Sequence, residues 1–149
     1  MNSNIQLVKV FFPSREYLLP QIESVLYSGQ IAEGQQVYEF ERKFKEKFNL
    51  NNLLAFSSGT ASLHTALILA GVQPGDEVIS TPMTAEPTNT SILYTGAKVV
   101  WADVDPASGN IDPVSIRDSI TNKTKAIVVV HYAGSVSYTH LTLPTILRV

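Results

Sequence analysis

The residue types that come closest to chemistry lie in "AFSSGTASLHTAL", residues 55–67. Two serines, a glycine and a threonine follow the apolar run "LLAF" and lead straight into a small-residue helical pattern. In open α/β sheets, ligands sit beyond the carboxyl ends of the strands. The first turn of a helix offers N–H groups without intrahelical partners and the positive end of a dipole, which suits a phosphate. Gly59 would let the backbone approach an anion closely, and Thr60 adds a hydroxyl. Ala61 and Ala66 would let the helix pack tightly on a sheet. Ser57, Ser58 and Thr60 would serve equally well as helix caps, so the residues alone leave both readings open. The segment is not a Walker loop, since no Gly-Lys-Ser/Thr follows, and one glycine stands where the dinucleotide fingerprint needs three.

Other titratable residues are weaker candidates. His64 lies one turn into the same helix beside Leu63 and Leu67, the setting of a packed or surface histidine. Asp103 and Asp105 in "ADVDP" form a carboxylate pair that could be imagined around a metal. They stand at a strand end before Pro106, where aspartates commonly build turns, and no further ligand cluster lies nearby, so no metal is expected. His131 follows a run of valines and could face a ligand crevice or be held structurally.

The elements that would position these residues alternate. "PQIESVLYSG" reads as a short helix with Pro20 in its first turn and Gly29 at its end. "GQQVYEFERKFKEKFNL" is an amphipathic helix, with Val37, Phe40, Phe44 and Phe48 on a core stripe and a charged, solvated opposite face. From residue 53 onward, strands are expected at "LLAFSS", "PGDEVIST", "KVVWADVD" and "KAIVVVHY". Between them lie helices at "GTASLHTALILAGV", closed by Gly71, "AEPTNTSILYTG" and "DPVSIRDSIT", with Pro113 near the start of the last. Near-continuous apolar strands alternating with helices predict the α/β class, a mostly parallel sheet covered on both faces.

Composition narrows the functions. The 149 residues are 44% hydrophobic and 16% charged, with a formal net charge of −2. Nothing resembles a basic footprint for nucleic acid or a polybasic membrane signal. With no cysteine, disulfides, cysteine–zinc sites and a cysteine nucleophile are excluded. The first residues lack the apolar core of a signal peptide, and no run approaches the roughly eighteen apolar residues of a membrane span, so a cytoplasmic protein is expected.

Five segments in order, "SGQIAEGQQVYEFERKF", "AFSSGTASLHTAL", "GVQPGDEVISTPMT", "GAKVVWADVDPASGNIDPVSI" and "TKAIVVVHYAG", closely resemble the amino-terminal part of the DegT/DnrJ/EryC1/StrS sugar aminotransferases. The resemblance runs from about residue 10 to Gly134. It implies part of the large domain of a fold-type I enzyme that uses pyridoxal 5′-phosphate, works as a homodimer with active sites at the subunit interface, and moves an amino group, expected from glutamate, to a keto sugar on a nucleotide. By this likeness Gly59, Thr60 and Ala61 hold the cofactor phosphate. Ala85, in "TPMTAEPTN", matches the position where many members place an aromatic ring over the cofactor; here Glu86 and Pro87 follow an alanine, so the likeness supplies no stacking ring. The turn carrying Gly29 and Gly34 resembles the loop that approaches the active site in the dimer, with Gln35 where members often have proline.

The chemistry also requires a Schiff-base lysine and an acid beside the pyridinium nitrogen. In the family both lie downstream of the motif matching "HYAG", and Lys98, Lys123 and Lys125 stand at strand starts. No catalytic residue is therefore assigned within 1–134, and the chain alone is expected to be inactive. After Gly134 the text changes to "SVSYTHLTLPTILRV". "VSYTHLTLPT" is what a transposon-end sequencing adaptor encodes when translated, and a variable index followed by GTG and a stop accounts for the last four residues. Residues 135–149 are accordingly expected to be a non-native tail. A dehydratase on the same scaffold, and a non-catalytic binding or regulatory protein, are the alternatives that the sequence leaves standing.

Overall fold

The computed structural model describes residues 10–137, in two compact units that divide between Ala55 and Phe56. The first unit carries two helices, α1 (Arg15–Ser28) and α2 (Gln35–Phe48). α1 begins earlier than the proline suggested, so Pro20 lies inside the helix rather than in its first turn. Gly29 ends α1 in the left-handed conformation, at φ 74°, where a side chain would be strained. Gly34 is buried for a different reason: a Cβ there would lie 3.0 Å from Cβ of Gln30. Along α2, Phe44 stacks between Phe40 and Phe48, with centroids at 5.6 and 4.4 Å. The rings line up as a stripe, but no residue of α2 is buried, and Phe40 and Phe48 stay 53% and 54% exposed. On the polar side Arg42 reaches Glu39 at 3.0 Å and Glu46 at 2.8 Å, i,i+3 and i,i+4 pairs that are solvent-exposed and contribute little.

The second unit is a three-stranded parallel sheet in the order β2-β1-β3, from β1 (Glu77–Ser80), β2 (Lys98–Trp101) and β3 (Thr124–Ile127). Three helices accompany it: α3 (Gly59–Leu69), α4 (Glu86–Leu93) and α5 (Pro113–Ser119). Strand side chains alternate between faces, and the two apolar clusters follow that period of two. Val78 joins Leu67 of α3 and Ile92 of α4 on one face, with Val99, Ala126 and Val128 packed against them. Ile79 joins Ile116 of α5 and Ile111, just before that helix, on the other, with Val100, Ile127 and Val129. The covered parallel sheet expected from the sequence is the one observed.

Two local readings are corrected. "LLAFSS" forms no strand: both edges of β1 are taken by β2 and β3, and the segment pairs with neither outer edge. An extended segment without a hydrogen-bonding neighbour remains coil, and Leu54 is 75% exposed. Ala66 faces solvent, so Leu67 is the residue that seats α3 on the sheet. α5 starts as its sequence dictates, with Pro113 at the first helical position and the Asp112 carboxylate accepting from Val114 N and Ser115 N. Residues 138–149, most of the expected tail, lie outside the described residues.

Because Ile92 is fully buried between α3, α4 and β1, Ile92→Ala is expected to lower unfolding stability by roughly 2–5 kcal/mol. Urea titration of the two chains checks this, and a loss below about 1 kcal/mol would place the core elsewhere.

Candidate functional site at the carboxyl edge of the sheet

α3 leads through residues 70–76 into the amino end of β1 and packs Leu67 against Val78, so it runs antiparallel to the strand. The same holds for α4 before β2 and α5 before β3, as crossover helices in a parallel sheet require. The N-termini of the three helices therefore gather at the edge where the strands end, the usual ligand edge of such sheets.

At the start of α3, Ser58 is the N-cap and its Oγ accepts from Ala61 N at 3.1 Å. The capping reading of this serine is thus correct. It satisfies one N–H of the first turn; the N–H groups of Gly59 and Thr60 have no partner among the described residues. A Cβ on Gly59 would meet nothing within 4 Å, so the backbone there is open to approach. Capping and anion binding are compatible, because they use different N–H groups. Ala61 gives its N–H to the serine and its carbonyl to the hydroxyl of Thr65.

Three loops meet beyond the strand ends. Gly109, after β2, sits at φ 71° where a Cβ would lie 3.1 Å from Cδ1 of Tyr132 and 3.5 Å from Cε of Met83. Glycine is required there both by the left-handed backbone and by the Tyr132 ring. Buried Asn110 accepts from Tyr132 N at 3.0 Å and donates to Ser135 Oγ at 3.2 Å, which ties the loop after β3 to the loop after β2. No motif singled out Asn110, and only the contact across 22 positions reveals it. Ala85 is the N-cap of α4 in the loop after β1, exposed and without a capping side chain.

The remaining candidates have local roles. The His64 ring packs edge-on against Tyr94, with centroids 5.9 Å apart. His131 Nδ1 accepts from Ser137 N at 3.0 Å. Asp103 caps Val104 N at 2.8 Å, and Asp105 accepts from Ala107 N and from the Ser108 hydroxyl. Lys98 opens β2, Lys123 precedes β3 with its carbonyl accepting from Glu77 N, and the Lys125 side chain lies against Gly71. All three lysines thus belong to the amino edge, opposite the loop cluster.

The model of the DegT/DnrJ/EryC1/StrS aminotransferase family matches residues 14–141. The chain belongs to this family. Among its relatives, the spore coat polysaccharide biosynthesis protein SpsC of Bacillus subtilis is 40% identical over 116 residues, 78% of this chain and 30% of SpsC. GDP-perosamine synthase of Caulobacter vibrioides is 35% identical over 122 residues, 82% of this chain and 32% of the synthase. The crystal structure of the sugar aminotransferase CalS13 from Micromonospora echinospora superposes with a TM-score of 0.84 at 36% identity, covering 97% of this chain and 39% of CalS13. The chain therefore spans about a third of the length of these relatives and has the α/β fold of the family's fold-type I large domain.

The Asp105 carboxyl is held below the usual carboxylate range, first by Ala107 N–H and then by the Ser108 hydroxyl. A carboxyl with a lowered folded pKa contributes stability above its unfolded value, and that contribution is lost as pH falls through the folded value. Asp105→Asn is therefore expected to flatten the decline in stability below about pH 4, measured by urea titration across pH. A decline as steep as in the parent chain would show that the turn does not depend on the anion.

Proposed function

We propose that this chain is the amino-terminal part of a pyridoxal-phosphate-dependent aminotransferase that transfers an amino group, from glutamate, to a keto sugar carried on a nucleotide, and that the complete protein is a homodimer. The observation that carries the reading is the pair of open N–H groups at Gly59 and Thr60, in a chain that belongs to an aminotransferase family. Relatives named a GDP-perosamine synthase and a sugar aminotransferase favour a sugar as the acceptor.

The residues present fit one half of the cofactor. The start of α3 combines open N–H groups, a glycine facing open space and a threonine hydroxyl, a donor set matched to a phosphate. Gly59 and Thr60 would hold that phosphate through their N–H groups, beside Ala61, whose own N–H is given to Ser58, and Ala85 lies in the loop that would pass the ring. When bound, the cofactor supplies the electron sink for amino-group transfer. Within the second unit the covalent half does not fit, because its lysines, Lys98, Lys123 and Lys125, stand at the opposite edge. The attaching lysine and the acid for the ring nitrogen are assigned to sequence beyond Gly134, and the 149-residue chain is inactive on this reading.

The tail at 135–149 is read as translated adaptor, although the family match runs to residue 141 and includes the first part of it. A long single-molecule read across the Gly134 codon of the source DNA is expected to continue in frame toward a downstream aspartate and lysine. A read that encodes "VSYTHLTLPT" and then stops after Val149 would remove the adaptor reading.

In the protein completed from that read, Thr60→Val is expected to weaken cofactor binding roughly ten- to a hundredfold, the cost of one hydrogen bond to a charged group. A visible absorbance titration measures it. Unchanged affinity would place the phosphate elsewhere, and no visible band in the parent protein would favour a non-catalytic role.

A further inference from the structure

The last two carbonyls of β1 and the first one beyond it go to three different places. Ile79 O accepts from Val128 N on the β3 side at 2.9 Å, and Ser80 O from Ala102 N on the β2 side at 2.9 Å. Thr81 is 1% exposed and follows the last strand residue, so its carbonyl is buried where the ladder has run out. Its partner is a side chain: Asn89 Nδ2 donates to Thr81 O at 3.1 Å. The other end of the same amide, Oδ1, accepts from the fully buried Ser80 hydroxyl at 2.7 Å. Both ends of the Asn89 amide are therefore fixed on the final two residues of the strand segment. Asparagine is a poor residue for a helix interior, and this one stands inside the eight-residue α4.

The consequence passes along the loop. Thr81 Oγ1 accepts from Met83 N at 3.2 Å, and Met83 Cε is the atom that closes on Gly109 beside Tyr132. Ala85 follows two residues later as the N-cap of α4, the helix that carries Asn89. The loop is thus clamped from both ends by one side chain.

We propose that Asn89 is the positioning residue of the loop 81–85: by binding the first carbonyl beyond the β1 ladder it fixes Met83 in the loop cluster and sets Ala85 at the carboxyl edge. This rests on the functional reading above only where the loop is taken to pass the cofactor ring. Asn89 touches neither substrate nor cofactor in this account; it acts through the backbone of Thr81.

Asn89→Asp keeps the shape and the acceptor for Ser80 but has no donor for Thr81 O. In the 149-residue chain, amide hydrogen exchange at Met83 and Thr84 is expected to accelerate roughly tenfold, with Val78 and Ile79 unchanged, because the opening is local. Unchanged exchange at Met83 overturns the proposal, and so does acceleration at Val78 and Ile79 to the same extent, which would make Asn89 a general core residue. Ser80→Ala leaves the bond to Thr81 in place and is expected to alter Met83 exchange by less than Asn89→Asp; the reverse order also overturns it. In the completed protein loaded with pyridoxal phosphate, Asn89→Asp is expected to change the visible circular dichroism of the bound cofactor while its affinity stays within about threefold, since the phosphate donors are untouched. An unchanged spectrum with accelerated exchange would sever the loop from the cofactor. A parent protein that binds no cofactor would defeat the functional reading and leave the exchange result to decide the role of Asn89.

Discussion

Only four residues make up β1, yet both of its edges are hydrogen-bonded and Val78, Ile79 and Ser80 are fully buried. A strand enclosed in this way has no solvent to satisfy its backbone, so each carbonyl must find a partner in sequence distant from it. The partners fix what surrounds it: β3 through Val128, the segment after β2 through Ala102, and α4 through Asn89. Val78 and Ile79 point to opposite faces, so one strand nucleates both apolar clusters. The rest of the second unit is arranged around that enclosure.

Where the enclosure ends, the polar chemistry begins. The carboxyl edge collects what a ligand site needs: helix N-termini, short turns and backbone donors not taken by a ladder. Its precision comes from two amides, half-buried Asn89 and buried Asn110, rather than from charges. Asn89 ties the loop after β1, and Asn110 ties the loops after β2 and β3. An amide can donate and accept at once without the desolvation cost of an ion, which suits it to joining backbone groups in a dry place. In the second unit Lys98, Lys123 and Lys125 stay at the amino edge.

The family relationship gives this edge a larger meaning. The chain covers about a third of its relatives, and on the proposed reading that part would hold the cofactor phosphate and the loop beside the ring. On that reading, anchoring the cofactor and activating it would come from separate segments of the complete protein.

How much was legible follows from the range of each interaction. Local rules in the sequence determined α2 and α3, the glycine ends of α1 and α3, the Asp112–Pro113 start of α5 and the parallel α/β class. Periodicity, caps and turns depend on neighbours a few positions away, and the family likeness rested on motifs that can be read in order. Tertiary structure alone decided that "LLAFSS" is not a strand, that Leu67 rather than Ala66 meets the sheet, and that Asn89 and Asn110 hold the loops. Each of these depends on which side-chain faces and backbone groups remain uncovered once distant segments have met, and no local pattern of residues encodes that remainder.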